Sequence, residues 1–100
     1  MVEMKNILIG KVNSIGKKTF KNDNDETITH YINFIDNDDE GNIDIIKVKI
    51  LDEINDKKVN ELREQYTGKT VEIEYKQFLI CNNNRVNKYL SCELKNIREV

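Results

Sequence analysis

The chain has 100 residues, of which 38% are hydrophobic and 34% are charged, with 18 acidic against 16 basic residues. This length accommodates one modest hydrophobic core, so we predict a single domain over residues 1–100. The apolar runs are far shorter than the roughly 20 residues of a membrane-spanning helix, so neither a membrane partner nor a targeting signal is expected. A formal charge of −2 gives the whole molecule no attraction for polyanions. Nucleic-acid binding would therefore require basic residues gathered on one surface.

The sequence contains few residues that support catalysis or metal binding. Cys81 and Cys92 form no CxxC pair. A hairpin about Asn83 would place the two cysteines out of register, beyond the roughly 7 Å limit for a disulfide. We expect free thiols, Cys92 in the core and a reducing, cytoplasmic setting. His30 is the only histidine, so we predict no catalytic residue, no metal site and no cofactor.

The first two predicted elements are strands. The first covers residues 5–20 and contains Gly10 and Gly16, at which a strand can bulge or bend. Five residues separate these glycines where a phosphate-binding loop requires four, which argues against a nucleotide site. A polar loop is predicted over residues 21–26, and a β-branched and aromatic second strand follows over residues 27–36.

A third strand follows a turn cluster at residues 37–42. Residues 43–50 alternate between aliphatic and polar, with Lys47 and Lys49 on the outer face. The acidic segment 36–47 resembles a calcium loop in its first half, but Lys47 stands where the loop requires a bidentate glutamate. We therefore interpret this segment as a solvated hairpin loop.

A helix and two further strands complete the chain. Residues 52–66 change to a period of about 3.6 residues, and Gly68 suits the position just after a helix. Alternation then predicts a fourth strand over residues 69–78, a polar loop about Asn83 and a fifth strand over residues 86–98. The apolar stripe of the helix consists of Leu51, Ile54, Val59, Leu62 and Tyr66.

The order of elements is strand, strand, strand, helix, strand, strand. This order predicts a mainly β protein, a five-stranded OB-fold barrel with one helix between strands three and four that closes the open end of the barrel. An open α+β sheet with one helix packed across it is the alternative.

Basic residues alternate with aromatic residues along the parts of the chain that would line the groove of an OB barrel. Lysine and arginine follow phosphates, and aromatic rings stack on unpaired bases. Alternation points Ile32 and Phe34 inward and therefore leaves Tyr31 facing outward. The candidate nucleic-acid-binding residues are Lys17, Lys18, Phe20, Lys21, Tyr31, Lys47, Lys49, Lys76, Phe78, Arg85, Lys88 and Tyr89.

The second half of the chain, IIKVKILDE and, after the helix, GKTVEIEYKQFLICNNNRVNKYLSCELKNIREV, resembles the helix-destabilising single-stranded DNA-binding proteins of filamentous phages. The resemblance implies an OB fold, a homodimer, and coating of single strands through Tyr31, Lys47, Lys49 and Phe78. The chain also resembles general OB single-strand binders, but it ends at Val100 without the acidic tail by which bacterial members recruit partners. Recruitment of that kind is not expected.

Two functions follow from these patterns. The first is non-enzymatic binding of single-stranded nucleic acid, DNA in preference to RNA, by a protein of a phage or mobile element. The second is an OB-like protein-protein interaction or assembly module that binds no nucleic acid, which the net negative charge favours. Strong salt dependence of oligonucleotide binding would distinguish them, because phosphate contacts release counterions.

Overall fold

The computed structural model describes residues 5–100, apart from the side chain of Asn82, and gives this part of the chain six strands and one α-helix. None of the helices in these residues is both long enough and apolar enough to cross a membrane. The elements are β1 (Asn6–Asn22), β2 (Asp25–Asn37), β3 (Ile43–Ile50), α1 (Asp56–Tyr66), β4 (Thr70–Asn82), β5 (Arg85–Cys92) and β6 (Ile97–Glu99), with one turn of 3-10 helix over Leu94–Asn96.

Five strands close into a ring in the order β1-β2-β3-β5-β4, because β1 pairs with both β2 and β4. β1 pairs with β4 over residues 6–11 and with β2 over residues 12–22, and a bulge at Asn13 separates the two halves. The pairing of β3 with β5 is parallel, whereas the other pairings in the ring are antiparallel. The predicted five-stranded OB barrel is confirmed, and the open-sheet alternative is wrong.

The barrel interior is filled by the inward-facing residues of the strands and is covered by α1. On β3, Val48 and Ile50 are buried while Lys47 and Lys49 are exposed, as the alternation predicted. The helix contributes Val59 and Leu62 to the same core. The buried cluster consists of Val12, Ile15, Ile32, Phe34, Val48, Ile50, Val59, Leu62, Val71, Ile73, Cys92 and Ile97.

The helix begins later than the apolar period predicted. Asn55 caps it, because its side-chain oxygen accepts the backbone N–H of Lys58 at 2.8 Å. Leu51 therefore precedes the helix, and its N–H donates to the carbonyl of Cys92. The predicted end is confirmed, since Gly68 follows the helix with a φ of 80°.

The predicted loop over residues 21–26 is wrong, because β1 and β2 extend through most of it to a two-residue turn. Lys21 and Glu26 are direct cross-strand partners, and their opposite charges favour pairing. Asp23 in the turn has a φ of 44°, which aspartate tolerates better than most residues.

The predicted fifth strand over residues 86–98 is also wrong in its second half. β5 ends at Cys92, and the N–H of Leu94 donates to the Asp52 side chain at 2.8 Å. The 3-10 turn then leads into β6, which pairs with β4 outside the five-stranded ring. The chain therefore changes direction where the sequence pattern predicted one continuous strand.

The two thiols lie in different environments. Cys92 is buried, as predicted, and Cys81 is exposed. Burial, with a smaller contribution from the nearby Asp52 carboxylate, raises the pKa of the Cys92 thiol to about 12. Cys92 is therefore protonated at neutral pH and acts as an apolar core residue.

Gly10→Ala is expected to destabilise the fold, because a Cβ at position 10 would lie 3.1 Å from Cδ1 of the buried Phe34. Overpacking of this kind costs about 1 to 3 kcal/mol. Gly16→Ala is the matched control, since its Cβ would meet only the Asn33 amide nitrogen, at an ordinary 3.5 Å. Urea unfolding followed by circular dichroism measures both variants, and equal midpoints would contradict the expectation.

Candidate nucleic-acid interface

A groove of about 500 Å³ opens on the outer surface of the barrel, between β1–β2 on one side and the β4–β5 hairpin on the other. We call it the basic groove. It brings together eight of the twelve predicted residues: Lys17, Lys18, Tyr31, Lys47, Lys49, Phe78, Lys88 and Tyr89. The four other lining residues are Gly16, Asn33, Ile45 and Leu90.

The basic groove exists because β3 and β5 pair along only a short stretch. Their parallel pairing covers three residue pairs, from Val48 with Leu90 to Ile50 with Cys92. Before this stretch the two strands diverge, and each continues as one strand of a separate hairpin. The resulting cleft places the outer face of β3 beside the first residues of β5.

Two aromatic side chains form an exposed pair on the β4–β5 hairpin. Phe78 and Tyr89 are direct cross-strand partners, with ring centroids 5.5 Å apart and an interplanar angle of 18°. The rings are stacked on each other, yet the two residues remain 47% and 44% exposed. This pair offers a flat apolar surface on which a further ring can stack.

Tyr31 lies on the groove side of β2. Its neighbour Ile32 is buried, which confirms the alternation predicted for this strand. The cross-strand partner of Tyr31 on β1 is Gly16, and its partner on β3 is Lys49. Because Gly16 has no side chain, space remains beside the tyrosine ring within the groove.

The charged groups of the basic groove are all cationic, since no acidic residue is among the described residues that line it. Lys47 and Lys49 point from the same face of β3, about 6.6 Å apart along the strand. In the described part of the chain neither takes part in an ion pair. Lys17 lies 3.9 Å from a carboxylate oxygen of Asp56, but both side chains are more than half exposed, so this pair is weak.

Four predicted residues lie outside the lining of the basic groove: Phe20, Lys21, Lys76 and Arg85. The ammonium group of Lys18 lies 5.1 Å from the centroid of the Phe20 ring, a cation–π contact between two exposed side chains. Lys21 and Arg85 flank the tips of their hairpins, and Lys76 pairs with Ser91 across β4 and β5. Direct ligand contact by these four residues stays a prediction.

Asn33 is a polar groove residue that is absent from the predicted set. Its amide nitrogen donates to the Ser14 hydroxyl at 3.1 Å. Its amide oxygen is buried and meets no donor among the residues described. The alternation that predicts an outward-facing Tyr31 also predicts an outward-facing Asn33. The sequence pattern therefore already indicates that Asn33 lies on the groove side of β2.

The turn between β2 and β3 is organised by Asp38. One carboxylate oxygen accepts the backbone N–H groups of Glu40 and Asn42, and the other accepts the Asn42 side-chain amide. These bonds, the one from the Asn42 side chain foremost, lower the pKa of Asp38. Within residues 5–100 no group of three or more histidine, cysteine or acidic side chains is arranged to hold a metal ion.

Comparison with known proteins identifies a similar fold but no family. No family model and no curated protein matches the chain. Among solved structures it is similar to the mitochondrial single-stranded DNA-binding protein Rim1 from S. cerevisiae, with a TM-score of 0.50 and 16% identity over 100% of this chain and 97% of that one. At this identity the likeness supports the OB fold. The finer resemblance to the filamentous-phage proteins stays a prediction.

Proposed function

We propose that this protein binds single-stranded nucleic acid, DNA in preference to RNA, and catalyses no reaction. The observation that carries the proposal is the composition of the basic groove, where five lysines and three aromatic rings meet without an acidic residue among the described lining residues. The net charge of −2 is compatible with this function, because the cations are gathered where they act together.

Each type of side chain in the basic groove has a distinct task in this proposal. Lys47 and Lys49 contact successive phosphates, while unpaired bases stack on Tyr31 and on the pair formed by Phe78 and Tyr89. Bases in a duplex already stack on each other and present only their edges, so a duplex cannot use these rings. The groove therefore favours single strands.

The proposed preference for DNA is supported by the likeness to Rim1, which is a single-stranded DNA-binding protein by name. The two free thiols favour a reducing compartment and are the basis for proposing a cytoplasmic location.

The proposal is tested by fluorescence anisotropy of a labelled oligothymidine titrated with the protein, beside an oligouridine and a DNA duplex of the same length. We expect the oligothymidine to bind most tightly, the oligouridine more weakly and the duplex least. Absence of oligothymidine binding even at low salt would overturn the proposal.

The alternative, a protein-interaction module, is favoured by a group of exposed isoleucines on the β2–β3 hairpin. Ile35, Ile43 and Ile45 are 47%, 67% and 62% exposed near the turn between β2 and β3, which is also acidic. Such a surface suits a protein partner better than a polyanion. A protein that serves only this function would leave the oligonucleotides unbound in the titration.

A further inference from the structure

Two hairpins extend beyond the closed part of the barrel. In the first, which we call the acidic arm, residues 35–45 pair only with one another, because the pairing of β2 with β1 stops at Phe34. In the second, the basic arm, residues 77–90 of β4 and β5 pair almost entirely with one another. The arms start from the parallel strands β3 and β5 and diverge on either side of the basic groove.

The arms carry opposite charges. The acidic arm contains five acidic residues and no basic one, whereas the basic arm contains two basic residues and no acidic one, with a third basic residue, Lys76, directly before it. The charged residues are Asp36, Asp38, Asp39, Glu40 and Asp44 on the acidic arm and Lys76, Arg85 and Lys88 on or beside the basic arm.

The charged side chains of both arms have no oppositely charged partner within the described residues. The five ion pairs among the described residues involve none of these eight side chains. Asp36 and Asp44 are direct cross-strand partners on the acidic arm, an arrangement of like charges that destabilises a hairpin. A cationic surface from outside the chain would relieve this repulsion.

Each arm also exposes apolar side chains. Ile35, Ile43 and Ile45 share one face of the acidic arm by alternation, and each is about half to two-thirds exposed. On the basic arm, Leu79 and Val86 are 58% and 62% exposed. An isolated two-stranded hairpin is marginally stable in water, so burial of these residues against another surface would stabilise both arms.

We propose that a second copy of this chain docks head to tail, with the acidic arm of one protomer against the basic arm of the next. The argument for this occupant is charge complementarity between the two arms, each of which also exposes apolar side chains. The two contacting surfaces differ, so the contact does not close and can repeat as an open row. This arrangement differs from the closed dimer that the phage resemblance implies.

The proposal rests on the proposed function, because a bound single strand aligns the protomers. The arms offer few side chains, so the contact is too small to hold free protomers together. Two protomers on one strand have an effective concentration in the millimolar range, which makes a weak contact effective. The expected consequence is cooperative binding to long strands.

The test compares a short oligothymidine of about 12 nucleotides with a long one of about 60, since one OB domain covers roughly 4 to 16 nucleotides. Anisotropy with the short strand measures binding of one protomer, and gel shifts with the long strand measure cooperativity. We expect the gel to show long strands that are either free or fully covered by protein, with few partly covered ones.

Charge substitutions identify the surfaces. Asp39→Lys/Glu40→Lys at the tip of the acidic arm and Val86→Glu near the tip of the basic arm should each lower cooperativity roughly tenfold, because like charges then face each other between the two tips. These residues lie outside the groove lining, so short-strand binding should persist. A chain that carries all three substitutions restores opposite charges and should regain cooperativity. Glu53→Lys/Glu64→Lys is the matched control, because it makes the same charge change as the acidic-arm variant on residues outside both arms that form no ion pair in the described chain. It should leave cooperativity unchanged.

Three outcomes would overturn the arm contact: independent filling of the long strand, no effect of the arm variants beyond that of the control, or no recovery in the triply substituted chain. The last would favour a basic partner protein as the occupant of the acidic arm. Each of these outcomes leaves short-strand binding intact. Failure of the proposed function is distinct, because the short strand would then not bind at all.

Discussion

Replacing Phe78 and Tyr89 together by alanine is expected to weaken binding of a short oligothymidine by about 5- to 150-fold. The range follows from the roughly 1 to 3 kcal/mol that stacking of one base on an aromatic side chain contributes. The two rings already stack on each other at 5.5 Å, so they form one platform, and the double variant removes it completely. Anisotropy at a fixed salt concentration measures the loss.

The matched control for this platform lies on the same hairpin. Leu79 and Val86 alternate with Phe78 and Tyr89 along β4 and β5 and do not line the basic groove. Leu79→Ala/Val86→Ala should therefore leave short-strand binding nearly unchanged, with circular dichroism confirming that both variants fold. Equal losses in the two variants would show that the hairpin matters only as a structural element.

The sequence predicts the strands well where alternation and turn residues agree. β3 has the predicted bounds, Ile43–Ile50, because a turn cluster precedes it and its two faces differ sharply in polarity. The β1–β2 turn was predicted too long, since the polar residues Lys21 and Glu26 resemble a loop but pair across the strands. The start of the helix was predicted too early, because Leu51 fits the helical period although Asn55 caps the helix.

The break between β5 and β6 could not be predicted from local sequence. No glycine or proline lies between Cys92 and Val100 to mark it. The chain turns there because the N–H of Leu94 donates a hydrogen bond to the side chain of Asp52, a residue 42 positions earlier in the sequence. Only the assembled barrel brings these two groups together.

The groove residues also divide into those that the sequence predicts and those that only the assembled fold explains. Lysines and aromatics are selected by their chemistry, and eight of the twelve selected lie in the basic groove. Ile45 and Leu90 carry no such signal, because they line the groove only through the divergence of β3 from β5. Arg85 carries the signal but flanks the hairpin tip, since the strands of the β4–β5 hairpin continue well past the barrel.

Salt should weaken oligothymidine binding steeply. Each lysine that contacts a phosphate of a single strand contributes about −0.7 to the slope of log K against log salt concentration, so the five groove lysines give a slope of about −3.5. A fourfold rise in salt, from about 50 to about 200 mM, then weakens binding roughly 100-fold. Anisotropy titrations at several salt concentrations measure this slope.

Lys47→Ala/Lys49→Ala is expected to reduce the steepness of that slope by about 1.4, because two of the five phosphate contacts are lost. Lys11→Ala/Lys57→Ala is the matched control: these lysines are exposed, lie outside the basic groove and take part in no ion pair of the described residues. The control removes the same net charge and should keep the slope of the unmodified protein. If both variants reduce the slope equally, the attraction comes from total charge rather than from β3, and the basic groove is not the binding site.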